Sequence, residues 1–156
     1  MPLLFVPYDA SFVASVRKGG PDSNGLPAER SVSDGEGNPC RACLFQIPKG
    51  AAMLVVAARP FPILQPYAET GPIFLCAEDC MPWQGNGVPP VLQSSPDYLL
   101  KGYSADNRIV SGSGRITPRD KLESYAKTLL RRAEVAYVDV RSSRNNCFLT
   151  RITLAT

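Results

Sequence analysis

The apolar positions of the chain fall into short, separated runs. Met53-Leu54-Val55-Val56-Ala57-Ala58 is unbroken and of strand length, the pattern of a strand covered on both faces. Pro60, Pro62 and Pro66 forbid a helix directly after it. Residues 73–77, Ile-Phe-Leu-Cys-Ala, form a second buried strand, which Glu78-Asp79-Cys80-Met81-Pro82 breaks. Towards the C-terminus, Ala136, Val138 and Val140 alternate with Tyr137, Asp139 and Arg141, and Phe148, Ile152 and Leu154 mark one face of a last strand. Residues 142–146 join these two as a hairpin loop, and residues 104–107 turn a second hairpin between 98–103 and 108–110.

Helical periodicity is sparser. Phe12, Val13 and Val16 give one or two turns over 11–16, ended by Gly19-Gly20-Pro21. Leu122, Tyr125, Ala126, Leu129, Leu130 and Ala133 make one stripe and predict a long helix over 118–133, with Thr117 as its cap, Pro118 in its first position and Asp120 in its first turn. The stretch 19–39 reads as a mobile surface loop with a brief extended piece at 29–33. Many strands with few helices predict a single α+β domain over 1–156, with a mixed or mostly antiparallel sheet that a partial barrel could also satisfy. The long helix should cover one face, and the runs 53–58, 73–77, 136–140 and 148–154 should be neighbours in that one sheet.

Composition changes this picture mainly by exclusion. The 156 residues are 44% hydrophobic and 20% charged, which suits a globular chain, and they include no histidine. Ser-His, Cys-His and His-ligated metal mechanisms are therefore out of reach. The 17 basic residues, 12 Arg and 5 Lys, are scattered, with Arg131-Arg132 the only adjacent arginines, so the net charge of +3 forms no nucleic-acid stripe. No run approaches a membrane span, and the start of the chain has no cation before Arg17, unlike a signal peptide. A cytoplasmic protein without membrane or nucleic-acid partners is the expectation, and five cysteines then mean reduced thiols or a metal rather than a disulfide framework.

Cys40-Arg41-Ala42-Cys43 and the pair Cys76 and Cys80 could together supply four thiolates to a tetrahedral zinc. Fully extended, Cys76 and Cys80 would lie about 13 Å apart, so the break at Glu78-Asp79 must fold Cys80 back. Inert buried thiols fit the same residues, since free cysteine packs as a small hydrophobe. A thioredoxin-like reading of the CxxC lacks its helix, because only Leu44 to Ile47 precede Pro48. Loop and strand-end polar residues, Cys40, Arg41, Tyr67, Glu69, Arg141 and Cys147, are the candidate pocket, in which Arg41 would clamp a small anionic ligand. The rival of a different class is a thiol enzyme using Cys40 or Cys147, with Arg41 lowering the thiolate pKa. Gly112-Ser113-Gly114 lacks the spacing of a phosphate loop.

Gly37-Asn38-Pro39-Cys40-Arg41, the stretch from Tyr67 through Gly71-Pro72-Ile73-Phe74, Val135-Ala136-Tyr137-Val138 and Asn146-Cys147-Phe148 together resemble the bacterial family called domain of unknown function 1203, over roughly residues 30–154. The matching positions are Cys40, Arg41, Tyr67 and Cys147. The resemblance implies a single-domain cytoplasmic protein of similar size, and it brings a fold expectation without a chemistry.

Overall fold

In the computed structural model, which describes residues 1–155, the strands pair into two open antiparallel sheets. The chain runs β1 (Leu3–Val6), α1 (Ala10–Arg17), β2 (Glu29–Val32), β3 (Ala52–Ala58), β4 (Gly71–Cys76), β5 (Asp97–Tyr103), β6 (Arg115–Pro118), α2 (Leu122–Leu130), β7 (Tyr137–Ser142) and β8 (Phe148–Leu154). The larger sheet has the order β1-β8-β7-β5-β6, and the smaller is β2-β3-β4. The four apolar runs are thus divided, two in each sheet, rather than neighbours in one, and no barrel closes. Three of the runs are central where they lie, β3 in the small sheet and β7 and β8 in the large one, while β4 is an edge strand. Periodicity reports burial, and it does not say against which sheet.

The long helix is also corrected. The α-helix spans nine residues, Leu122–Leu130, after a three-residue 3-10 turn, Arg119–Lys121. Thr117 does not cap it. That residue is buried in β6 opposite Tyr98, and its hydroxyl donates to the Arg115 carbonyl at 3.0 Å. Pairing with β5 offers these residues a full ladder, which outweighs a local capping preference. At the other end, tight turns from Arg132 N–H to the Leu129 carbonyl and from Val135 N–H to the Arg132 carbonyl lead the chain into β7. The turn after β5 forms as read, with Asn107 at φ 66°, yet its return arm makes a single bridge, Tyr103 to Ile109.

Two cores result. Leu122, Ala126, Leu129 and Leu130 of α2 cover the apolar face of the large sheet, meeting Leu100, Val138, Val140 and Ile152. The second core joins α1, through Val13 and Val16, to the small sheet and to the loop that carries Cys40 and Cys43. The other face of the large sheet is polar and still covered: Lys101 and Tyr103 on β5, Tyr137, Asp139 and Arg141 on β7, and Arg151 on β8 lie beneath the proline-rich segment 59–70. Phe61 in that segment packs on the stacked rings of Tyr103 and Tyr137. No described helix is long and apolar enough to cross a membrane.

Candidate metal centre

The loop after β2 makes a tight knuckle. Cys40 N–H donates to the Phe45 carbonyl and Leu44 N–H to the Cys40 carbonyl, both at 3.0 Å, while Pro39 bridges Gln46 across the neck. Closing so short a turn puts Leu44 at φ 60°, a left-handed conformation that a residue with a branched side chain rarely adopts. It is held there by burial: Leu44 is fully enclosed in the core under α2, and its carbonyl accepts from Val91 N–H at 3.1 Å. The knuckle is docked on β4 by a bridge from Cys40 to Phe74 and by Arg41 N–H donating to the Phe74 carbonyl. This brings Cys40 beside the end of β4, where Cys76 stands.

Past β4 the chain turns at Glu78-Asp79 and returns Cys80 to the same point. The four sulfurs of Cys40, Cys43, Cys76 and Cys80 all lie within 4.8 Å of one another, and Cys40 Sγ is 3.9 Å from Cys80 Sγ. Four sulfurs about 2.3 Å from one zinc would sit about 3.8 Å apart along each tetrahedral edge, so the cluster needs little adjustment to close on a metal. Cys76 N–H donates to Cys40 Sγ at 3.3 Å, and Arg17 at the end of α1 donates from Nη2 to Cys80 Sγ at 3.1 Å. Both contacts favour thiolate. Hydrogen bonds from Cys43, Cys76 and Cys80 hold the Cys40 thiol far below the usual range, and the sharing raises Cys43 and Cys76 in turn.

Arg41, between the two knuckle cysteines, is buried. Its Nε donates to the Phe148 carbonyl at 2.8 Å and Nη1 to the Pro39 carbonyl at 2.7 Å, with the Phe74 ring 5.7 Å away. Burial pulls its guanidinium down to about 10, still charged at neutral pH. It shares the wall of a groove of about 370 Å³ with Cys147. Cys147 also lines a smaller cavity, about 210 Å³, with Glu69 and Arg141. Tyr67 lines neither of these two; its ring lies 5.3 Å below Arg108. The six candidate pocket residues are therefore distributed: Arg41 with Cys147, Glu69 and Arg141 with Cys147, Cys40 inside the sulfur cluster, and Tyr67 apart.

A family model described as a protein of unknown function (DUF1203) matches residues 37–153. The chain belongs to that family. The match to the 1203 domain takes in all four clustered cysteines, Arg41, Glu69, Arg141 and Cys147, and leaves α1 with Arg17 outside it. Neither a curated protein nor a solved structure matches the chain.

Two parts of this arrangement are not legible in the sequence, the first of them outside the 1203 domain. Arg17 is 63 residues from Cys80, and nothing local announces their contact. Lys101 and Tyr103 belong to no motif, although strand alternation places both on the face that carries Asp139 and Arg141.

Proposed function

We propose that the protein is a zinc-stapled binding domain, in which Cys40, Cys43, Cys76 and Cys80 hold one structural Zn²⁺. The observation that carries this reading is the mutual approach of four sulfurs, from a loop, a strand end and a turn, at the spacing of a tetrahedral thiolate site. A site with four protein ligands has no open position, so the metal's work would be structural rather than catalytic. It would tie the knuckle to β4 and the turn after it, and thereby fix the knuckle residues Arg41 and Leu44, which reach out to β8 and to the core under α2. The loop-formed groove of Arg41, Phe74 and Cys147 is the ligand-facing surface that this frame presents.

The thiol-enzyme reading gains less support. Cys147 donates to the Asn145 carbonyl at 3.7 Å, and the chain has no histidine to act as its base.

Metal analysis of freshly purified, reduced protein tests the reading, with one zinc per chain expected. Iron is the other metal that suits four thiolates, and its visible absorption would reveal it. Chelation or Cys40→Ser should release the metal and lower the melting temperature by roughly 10 °C or more, several kcal/mol of lost stabilisation. Protein that is metal-free as purified and indifferent to chelator would refute it.

A further inference from the structure

On the polar face of the large sheet, two arginines on adjacent strands, Arg141 on β7 and Arg151 on β8, are treated differently. Arg151 presents the edge formed by Nε and Nη2 to both oxygens of Asp139, at 2.7 and 3.1 Å. Arg141 has the same edge free. Its Nε is buried without a hydrogen-bond partner, and its Nη2 has the Glu69 carboxylate only at 4.0 Å, beyond hydrogen-bond reach. Only Nη1 is engaged, donating to the Asn146 carbonyl at 3.0 Å. Arg141 is 5% exposed, so an uncompensated donor edge there carries the full cost of desolvation.

That side chain lines the cavity of about 210 Å³ enclosed by segments 69–72 and 145–148. Glu69 is half-exposed and loosely placed, 3.6 Å from Lys101 Nζ as well as 4.0 Å from Arg141. Two cations thus face one half-exposed carboxylate, and burial together with the Arg141 charge pulls the Lys101 ammonium down. The site has one positive charge in excess and a planar pair of donors that makes no hydrogen bond, with the buried and equally unpartnered Tyr103 hydroxyl nearby.

We propose that this cavity binds a small organic carboxylate, held on the Nε and Nη2 edge of Arg141, with Glu69 as the internal group that it displaces. The cavity has the volume of roughly seven waters, room for an acid of a few carbon atoms. The fork of a guanidinium matches a carboxylate in both spacing and plane, as Arg151 and Asp139 show on the same face. Cys147 lines the cavity and gives it a built-in reporter. None of the four clustered cysteines lines it, so this site stands apart from the metal reading, and its failure would leave that reading untouched.

The test uses the full chain as purified and compares iodoacetate, a carboxylate, with neutral iodoacetamide at Cys147, followed by peptide mass spectrometry. Relative to the same ratio for glutathione, the iodoacetate preference at Cys147 should be about tenfold or more, the worth of one charge-assisted pair, and acetate should suppress it. Glu69→Gln should raise the preference further, because the internal competitor is gone. Arg141→Gln should reduce it to the glutathione ratio. If that variant fails to fold, Glu69→Gln and acetate competition on the natural chain still decide. A ratio equal to that of glutathione, or acceleration by both reagents alike without an effect of acetate, would overturn the proposal.

Discussion

Arg17 at the end of α1 donates to Cys80 Sγ and to the Cys76 carbonyl, each at 3.1 Å. Four thiolates around Zn²⁺ carry a net charge of −2, and this guanidinium is the cation placed to offset part of it. Partners outside the ligand set set both orientation and retention of a metal. Arg17→Met should therefore hasten transfer of zinc to a chromophoric chelator by about 10- to 100-fold, and Arg17→Lys should recover part of the loss. Unchanged transfer in Arg17→Met would show that the contact carries no weight.

Leu44 links the cysteine knuckle to the opposite core, and this separates two kinds of destabilising change. Leu44→Ala and Leu129→Ala should each cost about 2–5 kcal/mol in denaturant unfolding, from lost burial and the cavity left behind. Only Leu44→Ala should also speed chelator extraction. Lys127→Ala, on the exposed side of α2, should stay within about 0.5 kcal/mol of the natural chain.

Arg41 fastens the knuckle to β8. Arg41→Met leaves the Phe148 and Pro39 carbonyls without their donors and should cost about 3 kcal/mol by the same unfolding measurement. The iodoacetate preference at Cys147 should survive in it, because that preference depends on Arg141.

Alkaline stability follows from the tyrosines. Burial raises Tyr103 to about 12, against the opposing charge of Arg141, and raises Tyr8 to about 12 as well. The folded state therefore holds these protons more tightly than the unfolded chain, whose tyrosines titrate near 10. The stabilisation is complete below pH 10 and is lost as pH rises through 12. Phenolate absorbance and circular dichroism should change together in that window. The Tyr103 hydroxyl is buried without a partner, so Tyr103→Phe should not destabilise at neutral pH and should make the alkaline limb shallower.

Some of this was open to reading and some was not, for identifiable reasons. The strand at 53–58 is legible from a continuous apolar run of that length, although only its Leu54, Val56 and Ala58 face is fully buried and Val55 and Ala57 are half-covered, and the turn at Glu78-Asp79 is legible as the break that returns Cys80. The division into two sheets was not, because β3 and β7 look alike from within their own sequence and differ only in what the chain between them allows. Thr117-Pro118 has the chemistry of a helix start, and a strand partner 19 residues earlier, Tyr98, overrode it. Glu69, Arg141 and Cys147 were readable as polar groups at strand and loop ends, and they share a cavity; Tyr67 had the same signature, but its ring is taken by Arg108.

The two cores also differ in when they can exist. Every residue of the core around the sulfur cluster lies between Tyr8 and Cys80, whereas the core under α2 draws on Leu3 and Phe5 at one end and Ile152 at the other. During synthesis, α1, the small sheet and all four cysteines have emerged once residue 80 clears the ribosome, while the central pairing of β7 with β8 still awaits roughly the last half of the chain. On the proposed reading of the four thiols, metal capture would come early and fix Leu44 in place as a waiting anchor, around which the slower, long-range sheet assembles.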